Sequence, residues 1–318
     1  MRDILHDLLF TALRHARLGG SRVHDAPDPS SLGRKRRRMW VDPKKCVGCG
    51  NCVPVCTMGV ISVVKGRAQV NEDECVECNS CHRTLRRGSL DPTFVRVLRW
   101  TFQRVRLLHD APPDLCPTGA LTPPKLEWPR VLRAIFSDPT VKHPSTGSGG
   151  RGTEEIKTND VTGRLKEGEI GFAVELGRPG LGARFHDLDR VSRSLAVVGV
   201  TFEARNPVTH LMADTATGAL REDILDEKVM SAIVECRTEA ARVPKVLQTL
   251  QRVAGEIDTV FSAAIAAKCD PDGSVPYEQA VRECGFTLSI NTKTNLGLGR
   301  PLFHDERVVE SVAMAGRA

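Results

Sequence analysis

The feature that most constrains this chain is a pair of cysteine runs near its N-terminal end. The first, CVGCGNCVPVC, spans Cys46–Cys56 and has the spacing C-x2-C-x2-C-x3-C. The second, CVECNSCHRTLRRG, begins at Cys75 and holds three cysteines, because Leu85 stands where a fourth would fall. If each run serves a site with four thiol ligands, a further cysteine elsewhere in the chain must complete the set.

Metal clusters explain this spacing better than disulfides or zinc. In the x2-x2-x3 run, the first three thiolates wrap one cubane and the fourth binds a second cluster. Zinc has no use for such interleaving. The segment DLCPTGAL carries the Cys-Pro pair expected at the missing ligand. The predicted ligands are Cys46, Cys49, Cys52 and Cys116 for the first [4Fe-4S] cluster, and Cys56, Cys75, Cys78 and Cys81 for the second.

Residues 39–125 resemble a bacterial-type 2[4Fe-4S] ferredoxin domain. Between the runs, GVISVVKGRAQVNEDEC alternates like a short hairpin with Lys65-Gly66 at its turn. The chain departs from the ferredoxin pattern in two ways: Thr57, not proline, follows the first run, and an insert at 82–115 separates Cys81 from the last predicted ligand.

The insert contains TFVRVLRWTFQRVRLLHD, in which apolar residues recur at helical spacing between arginines. The pattern predicts a basic amphipathic helix with Val95, Leu98, Phe102 and Val105 on one face. Two alternatives stay open for this face: it packs on the cluster domain, or it docks on another chain or on the second domain.

Charge and composition limit the classes of partner that the chain is expected to bind. The chain has 318 residues and a net charge of +6, with a basic run, RKRRR, at Arg34–Arg38. No nucleic-acid-binding motif accompanies it, so an acidic redox partner, a ferredoxin or flavodoxin, is favoured over nucleic acid, with a merely solvated basic surface as the alternative. No apolar stretch is long enough for a membrane span, and no signal peptide is recognisable, so the expected location is cytoplasmic.

Composition also divides the chain. We predict an amphipathic and basic extension over 1–38, a cluster domain over 39–125, a helix and Gly/Ser-rich linker over 126–165, and an α+β domain over 166–318. The stretch Ser145–Gly152 fits a flexible linker, or a loop that wraps a phosphate or flavin.

The last domain alternates strand-like and helix-like segments. Helices on one side of a mostly antiparallel sheet, as in a ferredoxin-like or ACT-like βαββαβ sandwich, are the predicted architecture. The strands predicted are EIGFAVELG, VTFEARN, MSAIVECRT, TVFSAAIAAKC and FTLSIN, and the helices lie in HDLDRVSRSLAVVG, over Arg242–Ile257 and over Tyr277–Cys284. Cys236, Cys269 and Cys284 lack ligand spacing and are interpreted as buried or incidental thiols.

Two segments of this domain echo each other. GRPGLGARFHD and GLGRPLFHD share Gly-Arg-Pro, Gly-Leu-Gly and Phe-His-Asp. They are either two similar strand-to-helix turns, with Asp187 and Asp305 as helix caps, or two loops of one anion site. The candidate anion-binding residues are Arg178, Arg184 and Arg300, and the candidate acid–base residues are Lys157, His186 and His304, with Lys293 as a further proton donor.

Four segments, RGTEEIKTNDVTGR, GFAVELGRPGLGARFHD, NPVTHLM and KTNLGLGRPLF, resemble 6-hydroxynicotinate reductase and its relatives. The resemblance implies a ferredoxin-dependent reductase in nicotinate breakdown that reduces a carboxylated N-heteroaromatic ring, and it allows a flavin beside the clusters. It carries over no catalytic residue. Two other hypotheses remain: a non-catalytic electron-transfer subunit that docks on a separate oxidoreductase, and a ligand-sensing protein with a redox module.

Overall fold

The computed structural model describes residues 38–105, 113–150, 163–178 and 180–288. The chain divides into two compact units. The first holds residues 38–72 and Asn79–Leu126; the second holds everything described from Glu127 onward together with the segment Asp73–Cys78. The predicted N-terminal extension, apart from Arg38, lies outside the described residues.

The first unit is built from short elements around its cysteines. The predicted hairpin is confirmed: its strands pair from Ile61 opposite Val70 to Val64 opposite Arg67, and Lys65 and Gly66 take positive φ at the turn. The elements of this unit are β1 (Trp40–Val41), β2 (Ile61–Val64), β3 (Arg67–Val70), α1 (Ser80–Thr84), β4 (Arg86–Arg87), α2 (Pro92–Arg104), β5 (Leu115–Cys116) and β6 (Leu121–Thr122).

The two ends of the insert lie side by side in the first unit. β4 and β5 pair in parallel, with Arg87 opposite Cys116, and Arg86 Nε lies 2.8 Å from Asp114 Oδ2. The predicted helix is present as α2, which Asp91 caps by accepting a hydrogen bond from the Phe94 amide. The pairing explains how a cysteine so far along the chain returns to the others.

The second unit is organised on one four-stranded antiparallel sheet. Its described elements are α3 (Val131–Ser137), β7 (Glu169–Leu176), β8 (Ala183–Arg184), α4 (Phe185–Val197), β9 (Thr201–Phe202), β10 (Met212–Asp214), β11 (Ala219–Leu220), β12 (Lys228–Val229), β13 (Ala232–Glu239), α5 (Val243–Ala254), β14 (Phe261–Ala267) and α6 (Glu278–Glu283), with 3-10 turns at Thr209–Leu211, Glu222–Ile224 and Ala240–Arg242. The strand order in the sheet is β14-β7-β13-β9, and the central strands β7 and β13 pair with Val174 facing Val234 and Phe172 facing Cys236.

The sheet strands and the two long helices follow one another as β7-α4-β9-β13-α5-β14, which is the predicted succession βαββαβ. One face of the sheet and the helices form the hydrophobic core, in which Phe172, Leu188 and Val246 are fully buried. The α+β class is therefore confirmed.

Local differences from the sequence predictions have simple causes. The strand predicted in VTFEARN is cut to Thr201–Phe202, because the chain turns at the following residues, where Asn206 Oδ1 accepts the Val208 amide. Residues 286–288 form no strand, and the rest of FTLSIN lies outside the described residues. The start of the Gly/Ser-rich stretch closes on itself through a bridge between Lys142 and Gly149. No helix in the described ranges has the length and apolar character needed to cross a membrane.

Candidate cluster-binding sites

The four cysteines predicted to bind the first cluster line one cavity. Cys46, Cys49, Cys52 and Cys116 surround about 360 Å³ of empty space that is partly open to solvent. Leu85, Ala120 and Leu121 are among the apolar residues that close it. Leu85 thus occupies the place of the missing cysteine in the second run while contributing to the wall of this cavity.

Backbone amides point at three of these sulfurs. The Ala68 amide donates to Cys46 Sγ and the Ala120 amide to Cys116 Sγ, each at 3.3 Å. The Asn51 amide donates likewise to Cys49. Amide donors to sulfur stabilise thiolates and help to set the potential of an iron–sulfur cluster. The donor set therefore fits a [4Fe-4S] cluster in this cavity.

Three arginines hold the backbone of the first run. Arg67 Nη1 donates to the Cys46 carbonyl at 2.8 Å, Arg96 Nη2 to the same carbonyl at 3.2 Å, and Arg99 Nη2 to the Gly48 carbonyl at 3.4 Å. Two of them belong to α2, so the insert helix packs on the run within this unit. Packing on the cluster domain was one of the two alternatives that the sequence left open for this helix, but the sequence did not indicate which arginines make the contacts.

The apolar face of α2 is only partly used. Val95 is buried, and Leu98 and Phe102 are half-buried, as predicted. Val105 is exposed, contrary to its predicted place on the packed face, because the helix ends at Arg104 and Val105 forms the C-cap. The opposite side exposes Phe94, Val97 and Trp100, whose ring lies beneath the Arg104 guanidinium.

Burial controls the acidity of the thiols. It raises the pKa of Cys52 to about 12 and also raises the pKa of Cys49, and in both cases neighbouring cysteines of the cavity add to the effect. Metal binding to Cys49 and Cys52 must therefore displace a proton from each thiol. Among the described residues, no three or more His, Cys, Asp or Glu side chains converge as ligands of a single ion; a cubane spreads its ligands over several iron atoms.

The cysteines predicted for the second cluster are divided between the units. Cys56 and Cys81 belong to the first unit, and Cys75 and Cys78 belong to the second through the segment Asp73–Cys78. Burial, followed by the nearby Glu77 carboxylate, raises the pKa of Cys75 to about 12.

Basic residues of the second unit bind the segment Asp73–Cys78. Arg133 Nη1 donates to the carbonyls of Asp73 and Cys75, each at 2.8 Å. Arg130 Nη2 lies 2.6 Å from Glu77 Oε1, and Glu77 is almost completely buried. Sequence reasoning missed Arg130 and Arg133, because both lie in the segment 126–165, which was predicted only as a helix and linker.

Glu74, which lies on the other side of Cys75 from Glu77, is also bound by basic residues of the second unit. Its carboxylate pairs with Arg184 Nη2 at 2.6 Å and with Lys228 Nζ. The hydrogen bond from Lys228, with the charge of Arg184, lowers the pKa of Glu74. The acidic residues around the CVEC segment were a visible signal, but the sequence did not reveal their basic partners.

The predicted substrate residues are scattered or already engaged. Arg184 pairs with Glu74 and donates to the Asp226 carbonyl at 2.9 Å, and Arg178 Nε lies 3.3 Å from Glu175 Oε1. His186 is exposed, with Nε2 3.1 Å from Asp226 Oδ1. Asp187 is not the N-cap that the sequence predicted: Arg184 is the N-cap of α4, and Asp187, three residues on, accepts the Arg184 amide at 3.3 Å. The candidates Lys157, Lys293, Arg300 and His304, with the predicted cap Asp305, lie outside the described residues.

The other cysteines differ in environment. Cys236 is buried in the core on β13, Cys284 is half-buried and Cys269 is exposed. Next to Cys236, Glu235 is fully buried, accepts Asn206 Nδ2 at 2.9 Å and lies 3.6 Å from Arg164 Nη1. This buried carboxylate is a feature that the strand pattern alone did not indicate.

Known proteins agree with the geometry of the first run. A family model described as a 4Fe-4S binding domain matches residues 39–62. Ferredoxin-1 of Rhodobacter capsulatus is 43% identical over 44 residues, which cover 14% of this chain and 68% of that ferredoxin. A second Ferredoxin-1 from the same species matches to the same extent. No solved structure matches the chain.

The fold of the first unit and these matches define an iron–sulfur protein with the capacity for electron transfer. The chain belongs to the ferredoxin family through its N-terminal cluster-binding segment.

Proposed function

We propose that the chain is a reductase that passes low-potential electrons through two [4Fe-4S] clusters to a carboxylated N-heteroaromatic ring. Cys46, Cys49, Cys52 and Cys116 hold the first cluster in this proposal; Cys56, Cys75, Cys78 and Cys81 hold the second. The observation that supports it most directly is the cavity that all four ligands of the first set line, with amides directed at their sulfurs. When bound, the clusters supply electrons one at a time.

The electron donor we propose is an acidic ferredoxin or flavodoxin that docks on the outer side of α2. This helix contains three arginines and no acidic residue. It exposes Phe94, Val97 and Trp100 while its inner side holds the backbone around Cys46. An apolar patch among basic residues near a cluster suits an acidic partner, because opposite charge speeds the encounter and apolar contact holds the complex.

The substrate follows from the resemblance to 6-hydroxynicotinate reductase. Reduction of that ring to 1,4,5,6-tetrahydro-6-oxonicotinate adds a pair of electrons and a pair of protons. Arginines, of which Arg178 is the more exposed described candidate, would hold the carboxylate, and His186, Lys157 or His304 would donate a proton. A flavin could accept single electrons from the clusters and pass them to the ring as a pair.

One observation favours a second candidate, a non-catalytic electron-transfer subunit of a larger oxidoreductase. Arg184 is engaged by Glu74 and Arg178 by Glu175, so these two guanidinium groups already have carboxylate partners. Either protein is expected in the cytoplasm, where thiols stay reduced.

The first experiment is anaerobic purification with assays of iron, sulfide and the visible spectrum after acid precipitation. About eight iron atoms per chain with released flavin, followed by turnover of 6-hydroxynicotinate with reduced ferredoxin, would support the reductase. About eight iron atoms without flavin or turnover would favour the subunit. About four iron atoms would contradict the two-cluster assignment.

The docking proposal has its own test. Trp100→Ala should raise the KM for an acidic ferredoxin about tenfold, because interface tryptophans carry a large share of binding energy. Val197→Ser, at an exposed apolar position of the second unit, is the matched control and should leave KM unchanged. Equal KM values for both variants and the original protein would contradict docking on α2.

A further inference from the structure

We infer that the second unit supplies the support of the second cluster: Arg130, Arg133, Arg184 and Lys228 position the segment Asp73–Cys78, which bears two of its ligands. The inference rests on the proposed function for the identity of those ligands, Cys75 and Cys78. It assigns these basic residues as positioning residues of a metal site rather than as substrate-binding groups.

Arg133 fixes the backbone of the segment Asp73–Cys78. Arg133 Nη1 donates at 2.8 Å to the carbonyls of Asp73 and Cys75, which lie on either side of Glu74. The Arg133 side chain is only 6% exposed, and its Nε pairs with Glu227 next to β12. A guanidinium held in this way has one orientation, so it fixes the path of the chain at Cys75.

The two acidic side chains of the segment are fixed next. Glu77, between the two cysteines, is 1% exposed at its side chain and receives Arg130 Nε at 3.0 Å and Nη2 at 2.6 Å. Its φ of 53° lies in the left-handed region, which a non-glycine residue adopts when its surroundings hold it there. A buried carboxylate without its cation would carry a large desolvation cost, so Arg130 and Glu77 depend on each other.

Glu74 ties the segment to another part of the same unit. Arg184 stands at the start of α4 and Lys228 on β12, and these two residues face each other in the β8–β12 pair. Both contact the carboxylate of Glu74. The four cations therefore come from α3 and its N-cap, the α4 N-terminus and β12, so the folded second unit is needed to bring them together.

Two consequences follow for the metal site. Loss of a residue that orients a metal ligand typically lowers metal affinity about 10- to 100-fold. Positive charge close to a cluster also stabilises its reduced form, so removal of these cations should lower the midpoint potential of the second cluster. The first cluster, whose predicted ligands and supporting arginines all lie in the first unit, should respond to neither change.

The test compares full-length variants by iron content and by EPR-monitored redox titration. Cys78→Ala identifies the signal of the second cluster as the one that it removes. Arg133→Met should then lower iron from about eight toward about four atoms per chain and weaken the same signal, with the other signal kept. Arg96→Met, which removes a donor to the Cys46 carbonyl, is the matched control and should affect the first cluster instead.

Folded Arg133→Met protein with unchanged iron and potentials would overturn the inference, as would an equal loss of both clusters. If Arg133→Met does not fold, Lys228→Met decides: we expect a lower potential for the second cluster alone, and unchanged potentials reject the inference. Original protein that lacks [4Fe-4S] signals would overturn the proposed function and the inference together. Original protein with both signals, and variants that change neither, would overturn the inference alone.

Discussion

The two cysteine runs share a spacing but differ in what surrounds them. Around the first run, the ligands predicted for one cluster line one cavity, and Arg67, Arg96 and Arg99 hold its backbone carbonyls from within the same unit. Around the second run, the segment with Cys75 and Cys78 is held by basic residues that belong to the α+β unit. A metal-binding motif thus specifies ligands, and it does not specify which part of the chain orients them.

The arginines at the two cysteine runs also differ in the groups that they bind. Arg67 and Arg96, at the first run, donate to backbone carbonyl oxygens. At the second run, Arg184 forms a close ion pair with Glu74, and Arg130 forms one with Glu77. The pair at Glu77 is buried, since the Glu77 side chain is 1% exposed. A buried ion pair is costly to break on one side only, so Arg130 should tolerate substitution less well than the carbonyl-bound arginines of the first run.

The largest expected effect comes from removal of one ligand at each run. Cys116→Ala should abolish the first cluster and leave the second, whereas Cys78→Ala should do the reverse, and each should lower iron from about eight to about four atoms per chain. Iron assay and EPR spectra of the two variants measure this. Cys269→Ser, at an exposed thiol, is the control and should retain all iron. Retention of full iron by Cys116→Ala would show that another residue completes the first site.

The next effect probes how tightly the first run is folded. A Cβ at Gly48 would lie 2.3 Å from the Gly66 carbonyl oxygen, and φ at Gly48 is +68°, whereas a Cβ at Gly59, with φ +64°, would meet nothing within 4 Å. Gly59→Ala should therefore cost only the left-handed strain of about 1–2 kcal/mol. Gly48→Ala adds overpacking of about 1–3 kcal/mol and should lose iron to a chelator faster. Equal chelation rates for the two variants would contradict a tightly packed first site.

Sequence reasoning could predict much of this arrangement, since ligand spacing, the Lys65-Gly66 turn and the βαββαβ succession are local patterns. The place of Cys116 beside the first run could be predicted as well, because the Cys-Pro pair marks it as a candidate ligand despite the long insert. The contacts of Arg130 and Arg133 could not be predicted from the sequence. They join residues more than fifty positions apart, and no periodicity or spacing records such a pairing.

The candidate substrate site was harder still to predict. A glycine-rich turn before a helix predicts free amides, but at Asp187 the turn satisfies its own Arg184 amide. Arg184, expected to face an anion, finds that anion in Glu74 of the same chain. Residue type indicated an anion-binding group, and only the fold could show that a carboxylate of the same chain already pairs with Arg184.

The smallest expected effect separates the acid sensitivity of the second unit's own fold from that of the clusters. His143 is 4% exposed, accepts a hydrogen bond from the Ser145 amide at Nδ1, and meets the Phe136 ring edge-on. Burial, assisted by His210, lowers the pKa of His143 to about 4. Below its unfolded pKa of about 6.5, the unfolded chain binds a proton that the folded chain refuses, so stability falls as pH falls toward 4.

Between pH 7 and pH 5 this histidine should cost the second unit about 2 kcal/mol of unfolding free energy. His143→Gln, which cannot titrate, should lose about that much less over the same interval, as measured by urea unfolding followed by far-UV circular dichroism. Cluster loss in acid is common to both proteins, so the difference between them isolates His143. The same pH dependence in both proteins would mean that His143 is protonated equally well in the folded and unfolded chain, and would place the acid sensitivity of this unit elsewhere.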